Sequence, residues 1–186
     1  LDEDGVIAAA AACGNNSRGY PCNIAKEAQV EAVFAEIVDD FGRLDGLINN
    51  AGILRDGMLI KVKDGELQDK MSLKQWQSVI DVNLTGTFLC GREAAAAMAQ
   101  AGNGGVIVNI SSIAKSGNIG QSNYAATKAG VASLVATWSR ELARFNIRAV
   151  GIAPGVISTD MTESMKPEAL ERIERMVPVR RLGDRK

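Results

Sequence analysis

The chain has 186 residues, 46% hydrophobic and 23% charged, with a formal net charge of −1. These are globular values that argue against disorder and against broad attraction to nucleic acid or a membrane surface. Histidine is missing altogether, which removes His-based triads, His metal sites and imidazole bases. Cys13, Cys22 and Cys90 lack C-x-x-C spacing and read as reduced thiols of a cytoplasmic protein, not as a disulfide framework.

The length suits one domain spanning 1–186. No apolar run approaches the ~20 residues of a membrane span, and the longest candidate, 6–12, is mostly alanine. From 26 to 41, Val30, Val33, Phe34, Ile37, Val38 and Phe41 recur at helical spacing and Gly42 follows as a stop. The short apolar run 44–48 then ends at Asn49-Asn50-Ala51-Gly52, as a buried strand feeding a loop does. Residues 59–70, "LIKVKDGELQDK", alternate around Asp64-Gly65, a turn pair suited to a hairpin.

Ser72 can cap one long helix running to about 101, where Gly102-Asn103-Gly104-Gly105 ends it. Residues 106–110 read as a second buried strand, broken by Ser111-Ser112. A helix over roughly 122–145 leads to a third strand, 148–153, halted by Pro154-Gly155. A further short helix fits 167–175. Alternating helices and strands imply an α/β fold with a doubly wound parallel sheet, and ligands of such sheets bind beyond the carboxyl ends of the strands. The clusters NNAG, SS and PGVIST all fall at that edge.

"NYAATKAG" (123–130) places Tyr124 four residues before Lys128. Residues so spaced share one side of a helix, roughly 5–6 Å apart at Cβ, and a nearby ammonium favours phenolate, lowering a tyrosine pKa from its ordinary ~10. The spacing alone also fits a half-buried tyrosine with a snorkelling lysine. Ser111-Ser112, on the preceding strand, could hydrogen-bond the same substrate oxygen that Tyr124 protonates.

The motifs "NNAG" (49–52), "VNLTG" (82–86), "NISS" (109–112), "YAATK" (124–128) and "PGVISTDM" (154–161) occur in the order and spacing of the short-chain dehydrogenases/reductases, which the chain resembles over nearly its whole length. Within that family it looks most like the bacterial beta-ketoacyl-acyl-carrier-protein reductases. The resemblance implies a Rossmann-type three-layer α/β/α domain, an NAD or NADP cofactor, a small carbonyl or alcohol substrate such as an acyl thioester, and a homodimer or homotetramer. It implies Tyr124 as acid/base, Lys128 as the group that lowers its pKa and binds the nicotinamide ribose, and Asn83, within its helix, as holder of a relay water. Asn49, Ala51 and Gly52 would pack beside the adenine ribose, Asn23 next to the adenine, and Thr159 on the carboxamide with Pro154 and Gly155 shaping its loop. Counting back from Tyr124 selects Ser111 as the catalytic serine, whereas anchoring on the strand selects Ser112 with a one-residue loop deletion. The strand anchor is preferred, because loops change length more readily than strands change register.

The family's first βαβ unit, with its glycine-rich turn, is not found in 1–186, and Leu1 falls just after the family's second strand. At the other end, "RRLGDRK" stops before a last helix and strand. The expectation is therefore an incomplete sheet with unpaired edges and a chain that is neither stable nor active alone. A non-catalytic piece that only associates with full-length relatives is the alternative reading. The 59–70 hairpin looks inserted, as a solvated feature or as a lid or partner contact. Met161, Met165 and Met176 suit either an apolar substrate pocket or ordinary packing. On the Tyr124 helix, Val131, Leu134, Trp138, Leu142 and Phe145 form one stripe and Ala125, Ala129, Ala132 and Ala136 another; the second stripe could face another subunit or the helix that begins at Ser72.

Overall fold

The computed structural model describes residues 2–158 and 167–184. Helix α1, Glu3–Ala12, opens the chain with the Asp2 carboxylate accepting from Gly5 N–H at 2.9 Å, and it buries no side chain. Helix α2, Glu27–Phe41, has the predicted apolar face, with Val30 1% exposed. It ends on Gly42, whose φ of 76° is the left-handed conformation that glycine adopts without strain.

Strand β1, Gly46–Asn49, leads to a two-stranded antiparallel hairpin of β2, Ile60–Lys63, and β3, Glu66–Lys70. Its turn is the predicted Asp64-Gly65, both at positive φ (53° and 81°), as a tight primed turn requires. Val62 pairs with Leu67 and Lys63 with Glu66, while a shift beside Lys61 leaves Lys61 opposite Asp69. One face thus carries Ile60, Val62 and Leu67, and the other carries Lys61, Lys63, Glu66 and Asp69. All of these side chains are exposed.

Helix α3, Leu73–Ile80, is capped as expected, with Ser72 Oγ accepting from Gln75 N–H at 3.1 Å. The single long helix anticipated from Ser72 to 101 is continuous in the structure but is widened by a π turn, Asp81–Gly86, before α4, Thr87–Ala101. Strand β4 is Gly105–Ile110, α5 is Ser122–Glu141 followed by a 3₁₀ turn, Ala143–Phe145, β5 is Ile147–Ile152, and α6 is Pro167–Met176.

The sheet order is β1-β4-β5, all parallel, with Asn49 level with Asn109 and Ile110 level with Ile152. Helices α2, α4 and α5 cover one face. There Met98, Ile107 and Ile147 are at most 1% exposed and pack with Ala94, Trp138, Phe34 and Leu47; each such side chain contributes about 1.5–3 kcal/mol on burial. Gly91 lets α4 approach α5, since a Cβ there would fall 2.3 Å from the Trp138 ring. The other face differs from the expectation of wholly buried strands. Ile48, Val150 and Ile152 are 68%, 41% and 48% exposed, so the described residues fill two of the three layers of an α/β/α fold. No helix among them is long and apolar enough to cross a membrane.

Candidate active site

Two of the three loops at the carboxyl edge are held level by hydrogen bonds between the ends of β4 and β5. Ser111 N–H donates to Ile152 O at 2.7 Å and Ile113 N–H to Pro154 O at 3.3 Å. These bonds bring the start of the Pro154-Gly155 loop beside the serine pair. Gly155 has open space around the position of a Cβ. Thr159, Met161 and Met165 lie outside the described residues.

The two serines point to different tasks. Ser111 is 5% exposed and its Oγ donates to Lys128 O at 2.7 Å, fastening α5 to the end of β4. Ser112 Oγ accepts from Ala114 N–H at 3.1 Å, which starts a 3₁₀ turn, and its hydroxyl interacts with the Tyr124 phenol. Lys128 is 5% exposed, with Nζ donating to Ile110 O at 2.7 Å and sitting 5.5 Å from the centroid of the Tyr124 ring.

The electrostatics differ from expectation. Burial pushes the Tyr124 phenol above its ordinary pKa; the Ser112 hydroxyl works against that and the Asp56 carboxylate adds to it. The anticipated lowering by Lys128 is not seen; its ammonium donates to the Ile110 carbonyl. Burial in turn lowers the pKa of Lys128 itself.

Asn83 lies in the π turn, 1% exposed, with both ends of its amide used: Oδ1 accepts from Ile53 N–H at 2.8 Å and Nδ2 donates to Ile53 O at 3.0 Å. Such turns widen a helix locally and recur at functional sites. A Cβ on Gly52 would come 3.4 Å from Asn83 Oδ1 and 3.8 Å from Lys128 Nζ. Gly52 thus lies between the two, and the structure brings Gly52, Asn83, Ser112, Tyr124 and Lys128 into one cluster.

Three predicted residues lie at its margin. Asn49 Nδ2 donates to Asn109 Oδ1 at 2.9 Å and reaches Thr87 O at 3.4 Å, so its amide joins β1, β4 and α4. Asn23 Oδ1 accepts from Ala25 N–H at 3.1 Å in a turn that leads into α2, and the adjacent Ile24 packs on Gly86. Ala51 is exposed in the loop after β1.

A family model described as short chain dehydrogenase matches residues 2–170. The chain belongs to the short-chain dehydrogenase family. It is 39% identical over 181 residues to the 3-oxoacyl-[acyl-carrier-protein] reductase FabG of Staphylococcus aureus (strain Mu50 / ATCC 700699), covering 97% of this chain and 70% of that one. It is 39% identical to the 3-oxoacyl-[acyl-carrier-protein] reductase of Synechocystis sp., over 97% and 68% of the two chains. With the FabG of Thermotoga maritima it shares 41% over 165 residues, 88% and 63% of the chains. As a short-chain dehydrogenase it is an oxidoreductase that acts on CH–OH and carbonyl groups with NAD(P). The cluster suits that cofactor. Lys128 gives one of its three N–H donors to Ile110, leaving two near the Tyr124 ring and the glycine edge at Gly52, a donor set matched to ribose hydroxyls.

Residues 120–123 and 55–57 also meet at this site, and no motif in the sequence marks them. Asn123 is fully buried and Gln121 bonds Asp56. The available signal was position: Asn123 stands in the first turn of the Tyr124 helix and Gln121 caps it.

Proposed function

We propose that this short-chain dehydrogenase reduces 3-oxoacyl thioesters, with Tyr124, Ser112, Lys128 and Asn83 as its working residues. The observation that carries the reading is the buried Lys128 beside Tyr124, with Ser112 on the phenol side; the names of the reductases it resembles support the substrate class. A bound NADH or NADPH supplies the hydride. Tyr124 O–H gives its proton to the carbonyl oxygen as that oxygen gains charge, and Ser112 Oγ–H steadies the same oxygen. Lys128, once drawn from Ile110 toward ribose hydroxyls, brings positive charge to the phenolate left behind. Asn83 holds Ile53 and, through it, the glycine loop beside the cofactor, and it is also the proposed holder of a relay water.

The remaining cofactor contacts proposed are Asn23, Asn49, Ala51, Gly52, Pro154, Gly155 and Thr159. Residues 1–186 are taken as one NAD(P)-binding domain. A homodimer or homotetramer through α4 and α5 fits the exposure of Ala129 and Ala136 on α5 and of Phe88 on α4. A cytoplasmic location rests on the three unbridged cysteines. Tyr124→Phe should cut turnover of a 3-oxoacyl thioester by about 10²-fold or more while nicotinamide nucleotide binding persists. Turnover retained within a few-fold would sink the assignment.

A further inference from the structure

The loop leaving β1 is laced to the first turn of α5. Gly57 N–H donates to Gly120 O at 2.8 Å, and Gln121 Nε2 donates to Asp56 Oδ2 at 2.8 Å. Asn123, fully buried, donates from Nδ2 to Arg55 O at 2.9 Å, while its Oδ1 accepts the Tyr124 N–H at 2.8 Å. From α3, Gln75 Nε2 reaches Arg55 O at 3.2 Å and Asp56 O at 3.1 Å. Both the backbone and the carboxylate of Asp56 are therefore fixed.

Gln121 is the N-cap of α5, three residues before Tyr124, and a helical side chain leans back over the turn N-terminal to its own Cα, so Tyr124 leans toward that cap. Held by Gln121, the Asp56 carboxylate sits at the same end of the helix. The groups around the phenol are then Lys128 from the same helix, Ser112 from the end of β4, and Asp56 from the loop. Asn123 and Gln75, which complete the clasp, are neutral.

We propose that Asp56 is a positioning residue for Tyr124: anchored by Gln121, on a loop pinned by Asn123, its carboxylate holds the phenol in the protonated form that donates to a carbonyl. The inference rests on the reading of Tyr124 as the acid/base. It gives the clasp a chemical purpose. A cation alone near Tyr124 favours phenolate, the form needed to oxidise an alcohol, whereas reduction begins from phenol. Once Lys128 is drawn from Ile110 toward the phenol it brings that preference, and the Asp56 carboxylate, held at the cap end of the same helix, works against it; the direction of the Asp56 effect on Tyr124 agrees. Asp56 accepts no proton in the reaction; the proton leaving Tyr124 goes to the substrate oxygen.

The chain has two tyrosines, so in a Tyr20→Phe background the near-ultraviolet phenolate absorbance titrates Tyr124 alone, without cofactor or substrate. In that background Asp56→Asn, which can keep the bond to Gln121, should move the titration midpoint down in pH. Asp56→Glu should restore the parent midpoint, and Asn123→Ser, which loosens the loop, should move it the same way as Asp56→Asn. Circular dichroism over the same pH range restricts the comparison to folded protein, and Gln121→Leu, which frees the carboxylate without altering it, serves should either loop variant fail to fold. Superimposed curves for the parent and Asp56→Asn would overturn the proposal, as would equal shifts in Asp56→Asn and Asp56→Glu, which would make the effect one of shape. The titration is independent of turnover, so an active Tyr124→Phe enzyme would refute the acid/base reading without altering this measurement.

Discussion

Removing the Asn83 side chain tests whether the π turn is an anchor for the cofactor-side loop. Its amide supplies both a donor and an acceptor to Ile53, and Asn83→Ala leaves that N–H and C=O without partners. Each lost bond is worth about 0.5–1.5 kcal/mol and each stranded buried group about 1–3 kcal/mol. Ile53 is half-buried, so water recovers part of the loss, and a net destabilisation of about 2 kcal/mol follows. With a urea slope of roughly 2 kcal/mol/M, the midpoint should fall by about 1 M, read from Trp76 and Trp138 fluorescence. Asn83→Asp separates the two bonds, because one oxygen still accepts from Ile53 N–H while the other now faces Ile53 O. Burial and that clash raise the introduced carboxyl's pKa above its unfolded value. The variant should therefore be least stable at neutral pH and regain stability as pH falls through the raised value, where protonation restores the donor. An unchanged urea midpoint in Asn83→Ala, together with an unaltered exchange rate for the Ile53 amide, would refute the reasoning.

Two further outcomes follow from the core. Gly91→Ala forces a methyl into the Trp138 ring and should cost about 1–3 kcal/mol by overpacking, lowering the thermal midpoint; an equally stable variant would mean that α4 and α5 separate more easily than their packing implies. Burial pushes the Cys90 thiol up to about 11, so roughly one molecule in a thousand carries its thiolate at pH 8, while Cys13 is exposed. Iodoacetamide at that pH, followed by peptide mass spectrometry, should label Cys13 well before Cys90 in the folded protein, and comparable labelling would contradict the burial of α4.

What was legible in the sequence is what local chemistry specifies. The apolar spacing of α2 with its glycine stop, the Ser72 cap, the Asp64-Gly65 hairpin turn and the strand ends at NNAG and SS all depend on near neighbours. The π turn around Asn83 left no such trace, because no cap or turn residue is needed to start it and the bonds between Asn83 and Ile53 beside it span 30 positions. Helix α1 is mostly an alanine run in sequence, with no apolar stripe to mark a buried face. The pairing of Tyr124 with Lys128 was readable from i,i+4 spacing, but the direction of the ammonium was not, since it is set by the Ile110 carbonyl on another element. The clasp of Asp56, Gln121 and Asn123 joins residues 65 to 68 positions apart, beyond any local pattern. Exposure of Ile48, Val150 and Ile152 likewise depends on what lies against the sheet, not on the strands' composition.

The Asn49–Asn109 pair serves as a ruler for the sheet. Asn109 is fully buried and its Nδ2 finds no partner among the described residues, an arrangement costlier than two well-packed aliphatic side chains would be. Aliphatic neighbours, however, tolerate sliding by two residues, since alternation repeats with that period, whereas an amide that must meet another amide does not. Matching Asn49 to Asn109 starts the glycine loop and the serine step at the same height, which sets Gly52 and Ser112 at one end of the sheet with Lys128 and Tyr124. The unmet hydrogen bond is the cost of that alignment.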